Sequence, residues 1–424
     1  MIDFKRVQNI HFIGIGGVSM HQLAEFCLSL GWTVTGSDLV KNKYIKKLQK
    51  KCTIFLSHNR SNILSPNIVV KSGAIKDDNP EIIYAKSLGI KIYDRAEFLG
   101  EVTRHFNTVI AIAGSHGKSS TCSMLYQILK ASNRKVSCHI GADIENAHFD
   151  YNDDILIVEA CEYNKSFLKL KVDIGAILNI EKDHLDCYGG IWQLKNAFKT
   201  FLKHSKLRYV LKSENTEFLN LKNIKFIDVP KINSNKFEVD GTIYEINSNI
   251  GKQYIFDAIL AISICRDLGV APKIIQDVLL KFNPPLRRNQ KIGKYKDKDV
   301  IIDYAHHPTE IKYVSENYID ENPIFIFQPH TYSRTKYLKK EFVEVLKNLN
   351  VIIFKEYSAR EKPNSGLTAH DLYLSVKEEN AKCFYADDLS SLMQLLKITN
   401  YNKLIFLGAG DIDLIAKQIV NSKN

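Results

Sequence analysis

Residues 108–119 read Thr-Val-Ile-Ala-Ile-Ala-Gly-Ser-His-Gly-Lys-Ser. The β-branched apolar run Val109 to Ile112 predicts a buried strand. Gly114 and Gly117 break that run, and Cys122, Leu125, Ile128 and Leu129 then recur at helical spacing. Strand, glycine turn, Lys-Ser and helix together are the setting of a phosphate-binding loop, where backbone N–H groups at a helix N-terminus face anionic oxygens. The expected phosphate contacts are Gly114, Ser115, His116, Gly117, Lys118, Ser119 and Ser120. Lys118 brings a positive charge to the terminal phosphates, and the Ser119 hydroxyl is a candidate Mg²⁺ ligand. The full pattern has a glycine where Ile112 stands, yet the flanking strand and helix favour a phosphate loop over an ordinary glycine turn.

The chain has 424 residues, which predicts two to three domains. An apolar share of 45% and a charged share of 25% are those of a soluble globular protein. No apolar run approaches the ~18 residues of a membrane span, and the N-terminal Met-Ile-Asp-Phe-Lys-Arg is not a signal peptide. Eight cysteines without a C-x-x-C pair point to free thiols in a reducing cytoplasm. The net charge of +11 lies mostly on dispersed lysines. It suits an anionic small substrate or a Lys- and Asn-rich bias. No nucleic-acid partner is expected, because no aromatic-interleaved basic block or nucleic-acid motif is present.

Residues 1–106 alternate short β-type runs with helical stretches, which predicts a parallel sheet with crossover helices. The first run leads into Gly14-Ile-Gly16-Gly17-Val-Ser19, a loop like a dinucleotide fingerprint with Ser19 in place of the third glycine. Asp38 follows the second strand, near where a ribose-binding acid sits. The loop suits NAD, a nucleotide sugar, or a tight turn without a ligand.

Residues 107–285 form a second α/β block. Strand 155–158 ends at Glu159, strand 174–178 ends at Asn179, and the loop Glu181-Lys-Asp-His184 follows. Acidic and His side chains just past strand C-termini lie where open α/β sheets bind ligands, so Glu159 and His184 are candidates to meet a Mg²⁺ at the phosphate loop. Residues 206–250 read as short strands and turns decorating this block, and helical periodicity returns over 255–268 and 272–280. Asn283-Pro-Pro285 is the expected linker. In residues 286–424, strands at 300–302, 324–327, 351–354 and 404–407 run into loops bearing His306, His330, Arg334, Arg360, Pro363 and Asp411. Charged and imidazole groups at equivalent strand ends predict one functional edge.

Taken together, these motifs resemble the Mur ligases of peptidoglycan synthesis. The resemblance covers nearly the whole chain. It rests on His11-Phe-Ile-Gly-Ile-Gly-Gly-Val-Ser-Met20, Ser72-Gly-Ala-Ile75, Asn79-Pro-Glu81, Arg95-Ala-Glu97, Gly114-Ser-His-Gly-Lys-Ser-Ser120, Glu159-Ala-Cys-Glu162, Asn179-Ile-Glu-Lys-Asp-His184, His306-His-Pro-Thr-Glu310, Gln328-Pro-His-Thr-Tyr-Ser-Arg-Thr335 and Gly408-Ala-Gly-Asp411. The Gly-Ile-Gly-Gly start and His-His-Pro-Thr-Glu are particular to the alanine-adding branch and its relative that recycles murein tripeptide.

The resemblance implies an α/β fold of three domains. These are a Rossmann-like N-terminal domain (1–106) for the UDP sugar, a central P-loop ATPase domain (107–285) with a mainly parallel sheet, and a Rossmann-like C-terminal domain (286–424) for the amino acid. It implies ATP-dependent joining of L-alanine to the lactyl carboxylate of UDP-N-acetylmuramate through an acyl phosphate, or of murein tripeptide to the same sugar nucleotide as the alternative. Gly14, Gly16, Gly17, Ser19, Asp38 and Ser72 would bind the UDP sugar. Ser119 and Glu159 would hold one Mg²⁺, and His184 with Glu159 a second. Lys118, His184, Arg334 and His330 would be catalytic. The implied protein is cytoplasmic, works without a membrane or nucleic acid, and is a monomer or weak homodimer. The family usually has a His-Asn pair, with the Asn near adenine, where this chain has Gln253-Tyr254.

Overall fold

The computed structural model describes residues 2–4, 6–144, 147–359, 361–362 and 366–422. Arg360 and Pro363 of the predicted functional edge lie outside the described residues, as does the side chain of Asp186. The chain divides into two compact units, residues 1–247 with 255–285, and residues 248–254 with 286–424. The helix Gln253–Asp267 begins in the second of these and continues in the first.

The first unit holds two parallel sheets. Strands β1 (Asn9–Ile13), β2 (Thr33–Ser37), β3 (Thr53–Phe55), β4 (Ile68–Lys71) and β5 (Lys91–Asp94) form a sheet of order 3-2-1-4-5. Strands β6 (Thr108–Ala113), β7 (Val136–His139), β8 (Ile155–Glu159), β9 (Val172–Ile177), β10 (Ser205–Leu211) and β11 (Ile224–Ile227) form the second, of order 11-10-9-6-8-7. Both sheets place glycine loops at their strand C-termini: Gly14 follows β1, with the loop after β4 beside it, and Gly114 follows β6 between β8 and β9. One hydrophobic core joins these sheets. It runs from Phe12, Phe26 and Phe98 through Phe106 and Phe149 to Phe167, Phe198 and Phe201. Phe26 packs on Phe149 at 4.9 Å between ring centroids and on Phe106 at 5.9 Å.

The stretch 206–250 differs from its reading as decoration. β10 and β11 extend the second sheet in parallel register. Only the hairpin of β12 (Lys236–Val239) and β13 (Thr242–Glu245) stands apart, turned by Asp240-Gly241 with both residues at positive φ.

The second unit is a sheet of order 14-15-19-16-17-18, from β14 (Gln290–Tyr295), β15 (Lys298–Asp303), β16 (Pro323–Phe327), β17 (Val351–Phe354), β18 (Cys383–Ala386) and β19 (Lys403–Leu407). Helices cover both faces, so its inner strands read as unbroken apolar runs. Side chains alternate between two cores. Phe325, Phe327, Ile353 and Ile405 enter one, and Ile324, Ile326, Ile352 and Phe406 the other. β14 pairs antiparallel with β15 and carries an irregularity between Lys291 and Gly293. Among the described residues, no helix is long and apolar enough to cross a membrane.

Gly100, on the helix Arg95–Thr103, faces the Lys169 carbonyl. A Cβ there would lie 2.4 Å from that oxygen, which is backbone and has nowhere to move. We therefore expect Gly100→Ala to destabilise the chain by about 1–3 kcal/mol through overpacking. A lowered thermal midpoint against wild type tests this, and an unchanged midpoint would show that the helix and the 169 segment separate freely.

Candidate active site

The candidate phosphate loop is held by two other segments, residues 178–181 and the helix bearing Asp257. Gly114 has φ +150° and Gly117 φ +81°. A Cβ on Gly117 would stand 2.2 Å from Asp257 Oδ1 and 3.2 Å from Leu178. Neither the backbone angle nor the space admits a side chain there. Beyond β9, the Asn179 side chain accepts the His116 N–H at 2.9 Å and donates to the His116 carbonyl at 3.2 Å. Ser115 Oγ accepts the Glu181 N–H at 2.8 Å, and His116 Nε2 lies 3.2 Å from Glu181 Oε2. These contacts shape the loop before the helix Lys118–Ala131 begins.

Lys118 Nζ donates to the Gly114 carbonyl at 2.5 Å, to the Ser115 carbonyl at 3.2 Å, and to Glu162, whose carboxylate oxygens lie 3.2 and 3.0 Å away. Burial alone would lower the affinity of Lys118 for its proton. The charge of Glu162, followed by Cys161 and Glu159, outweighs burial and holds the ammonium above its ordinary pKa. Ser119 Oγ donates to Glu159 Oε2 at 2.8 Å, and the same oxygen accepts the Gly141 N–H at 2.9 Å. Ser120 is buried on the same helix. The ligand atoms of His184 gather with those of Glu162 and Asp183 within 4.8 Å of one another, a group that does not include Glu159. His184 sits at φ +52°, and its N–H donates to Asp183.

At the first glycine loop, the Gly16 N–H donates to Asp38 Oδ2 at 2.8 Å and its carbonyl accepts from Asn42 at 2.9 Å. Gly14, at φ +79°, packs so near Ser72 that a Cβ would lie 2.9 Å from the Ser72 Cβ. Gly17 precedes the helix Val18–Ser29. On that helix Ser19 turns toward the central sheet, with its Oγ 2.8 Å from His139 Nε2 and accepting from Arg95 at 3.1 Å. Burial first, and then the charge of Arg95, drop the His139 pKa to about 3. Lys43 and Tyr44 both bond Asp143, and Gln22 bonds the Ile140 backbone twice. These contacts tie the first glycine loop to the β7 end of the central sheet.

In the second unit, the loops after β15, β16, β17 and β19 form one cluster. The Arg334 guanidinium lies 3.1 Å from His330 Nδ1 and donates to the His330 carbonyl at 3.2 Å. The His330 ring stacks on Tyr357 at 5.6 Å and meets His306 edge-on at 5.7 Å. Gln328 donates to Asp411 at 2.8 Å, and Arg287 donates to the carbonyls of Gly408 and Gly410. Arg288 pairs with Glu310 at 3.1 Å. Burial, with a smaller push from Glu310, raises the Asp303 pKa to about 6 against the pull of Arg288. Gln253, at the start of its helix, accepts from Asn317 at 3.0 Å, and Tyr254 is buried.

Sequence reasoning assigned no role to three residues that shape these sites: Glu162, Asn179 and His139. Glu162 and Asn179 stand in quoted motifs just past strand ends, which is a readable signal. The approach of Asp257 to Gly117 comes from a helix 140 residues away, and nothing local marks it.

The parallel sheet with its glycine loop, and the acidic groups beyond the neighbouring strands, define an α/β protein with a candidate phosphate site. Residues 9–107 match the family model "Mur ligase family, catalytic domain", and residues 112–253 match "Mur ligase middle domain". The chain is 35% identical to the UDP-N-acetylmuramate–L-alanine ligase of Caldicellulosiruptor bescii, covering 96% of this chain and 98% of that one. It is 34% identical to the ligase of the same name from Acetivibrio thermocellus, covering 100% and 98%. The chain belongs to the Mur ligase family. Its fold is shared with the crystal structure of UDP-N-acetylmuramate-alanine ligase from Thermotoga maritima, at TM-score 0.80, 24% identity and coverage of 97% and 98%. It is also shared with a murein peptide ligase from Psychrobacter arcticus, at TM-score 0.71, 19% identity and coverage of 98% and 100%.

The buried imidazole of His139 makes stability depend on pH. Unfolded, a histidine takes up its proton near pH 6.5, whereas folded His139 stays neutral down to about 3. Its contribution is complete above pH 6.5 and is lost as pH falls from there toward 3. The slope approaches about 1.4 kcal/mol per pH unit. His139→Gln removes that slope. We expect the difference in urea midpoint between wild type and variant to shrink as pH falls from 7 to 4.5; a constant difference would mean that the histidine is protonated in place.

Proposed function

We propose that the chain is an ATP-dependent ligase that joins L-alanine to the lactyl carboxylate of UDP-N-acetylmuramate, releasing ADP and phosphate. The reading is carried by one observation: a fixed glycine loop with its lysine paired to a buried carboxylate, in a chain similar over its whole length to ligases of that name. In this reading residues 1–106 bind the UDP sugar through Gly14, Gly16, Gly17, Ser19, Asp38 and Ser72. Residues 107–285 bind ATP through Gly114 to Ser120, and residues 286–424 receive the amino acid.

A carboxylate acylates poorly because oxide is its leaving group. Transfer of the γ-phosphoryl group to a carboxylate oxygen breaks the bond to ADP and leaves an acyl phosphate. The amine then attacks the acyl carbon, the C–O bond to phosphate breaks, and the nitrogen loses its proton. The main demand of the first step is charge neutralisation between two anions. Lys118 supplies it at the phosphates, and the loop N–H groups add to it. Ser119 and Glu159 are an all-oxygen pair 2.8 Å apart, a donor set that suits Mg²⁺, and they would hold it. A bound Mg²⁺ would contribute further charge neutralisation at the phosphates. His184, grouped with Glu162 and Asp183, is a candidate ligand for a second ion. Arg334 and His330 are the proposed contacts of the second unit with the acyl phosphate or the incoming substrates. Eight free cysteines support a reducing, cytoplasmic setting, and a monomer or weak homodimer is proposed.

Phosphate release measured against L-alanine, glycine, L-serine and L-Ala-γ-D-Glu-meso-diaminopimelate tests the reading. We expect turnover only with UDP-N-acetylmuramate and L-alanine together. Turnover with the tripeptide in place of alanine would assign the chain to the recycling branch. Lys118→Ala should lower the rate by about 10²–10³-fold, as for other single charge-stabilising donors. An unchanged rate would remove the phosphate loop from the mechanism.

A further inference from the structure

An ammonium has three N–H donors. Those of Lys118 have three sets of acceptors: the Gly114 carbonyl, the Ser115 carbonyl and the Glu162 carboxylate. The two carbonyls belong to the phosphate loop itself. Glu162 comes from the segment after β8, and it is 1% exposed. Its backbone is anchored separately. The Tyr188 hydroxyl and the Lys165 N–H both donate to the Glu162 carbonyl, at 2.5 and 2.9 Å. The carboxylate therefore cannot follow the loop as a rigid part of it. A phosphate oxygen can accept from Lys118 only by taking the place of one of these acceptors. Glu162 is the anionic one, and the one that the backbone of the loop does not itself supply.

We propose that Glu162 is a positioning residue whose charge pair with Lys118 is exchanged for the terminal phosphate of the nucleotide. The inference rests on the reading of the 114–120 loop as an ATP site. The exchange sets nucleotide affinity by a competition between two anions for one buried cation. It acts most on a triphosphate, whose γ-phosphate needs Lys118, less on a diphosphate, and not on a monophosphate. Once the γ-phosphoryl group has been transferred from ATP and ADP remains, the carboxylate regains the lysine and product release is favoured.

The test is calorimetric binding of ATP, ADP and AMP, with magnesium, to the full chain and its variants. Glu162→Gln keeps the shape and removes the competing charge. We expect ATP to bind about tenfold more tightly, in the range of one charge-assisted hydrogen bond. ADP should gain less and AMP nothing, with KM for ATP falling more than kcat changes. In a Lys118→Met background the same substitution should have no effect on ATP affinity. The proposal is overturned if Glu162→Gln weakens ATP or leaves it unchanged, if all three nucleotides shift alike, or if the gain persists without Lys118. Thermal melting checks that the variant folds. If it does not, Glu162→Asp is used, where the retracted carboxylate should give a smaller gain of the same sign and the same dependence on Lys118. A wild-type chain that binds no ATP would instead overturn the reading of the loop, a result distinct from binding that ignores Glu162.

Discussion

The close approach of Asp257 to Gly117 is the constraint on which the rest of the site depends. A loop that must present its N–H groups inward needs a left-handed residue at the entry to its helix, and any side chain there would enter the Asp257 carboxylate. With that position closed, Asn179 and Glu181 clamp the outer side of the loop. The helix Lys118–Ala131 then starts at a fixed point, and Lys118, Ser119 and Ser120 take their places from it. Two separate sequence segments, one at 178–181 and one at Asp257, converge on seven residues, and neither lies within the motif.

What could be read from the sequence follows the range of the interactions involved. The strands Val109–Ile112 and Ile324–Phe327 were legible because burial on both faces leaves a run of apolar residues with no polar alternation. The phosphate loop was legible because its chemistry is local. β7 was not, since Val136-Ser-Cys-His139 alternates apolar and polar residues over only four positions, all four of them buried, and it owes its place to pairing with β8. β14 was missed for a related reason. It is an edge strand with lysines and a glycine, and its partner specifies it more than its own residues do. The family resemblance supplied the grouping of motifs but gave Glu162 no role, because a buried ion pair depends on distances that no spacing encodes. Nor did spacing reveal that His184 gathers with Glu162 and Asp183.

The two sheets of the first unit cohere through a shared apolar core. Phe26 reaches Phe106 and Phe149 in one core, so the helix after the first glycine loop is packed against the central sheet, and its N-terminal turn brings Ser19 to His139. Apolar packing sets the geometry, and the polar contacts lock the register. The neutrality of His139 follows from this arrangement. A charged imidazole there would have lost its water and would face Arg95.

The first two residues of the helix Gln253–Asp267 are grouped with the second unit and its body with the first. In terms of synthesis on the ribosome, this sets an order of events. The body of the helix can pack as soon as residues up to 285 have emerged, but Gln253 meets Asn317 only after the later chain has been made. The N-terminal end of the helix is therefore the last part of it to find its partners. A chain cut after Pro285 would leave the C-terminal piece without seven of the residues that its fold includes.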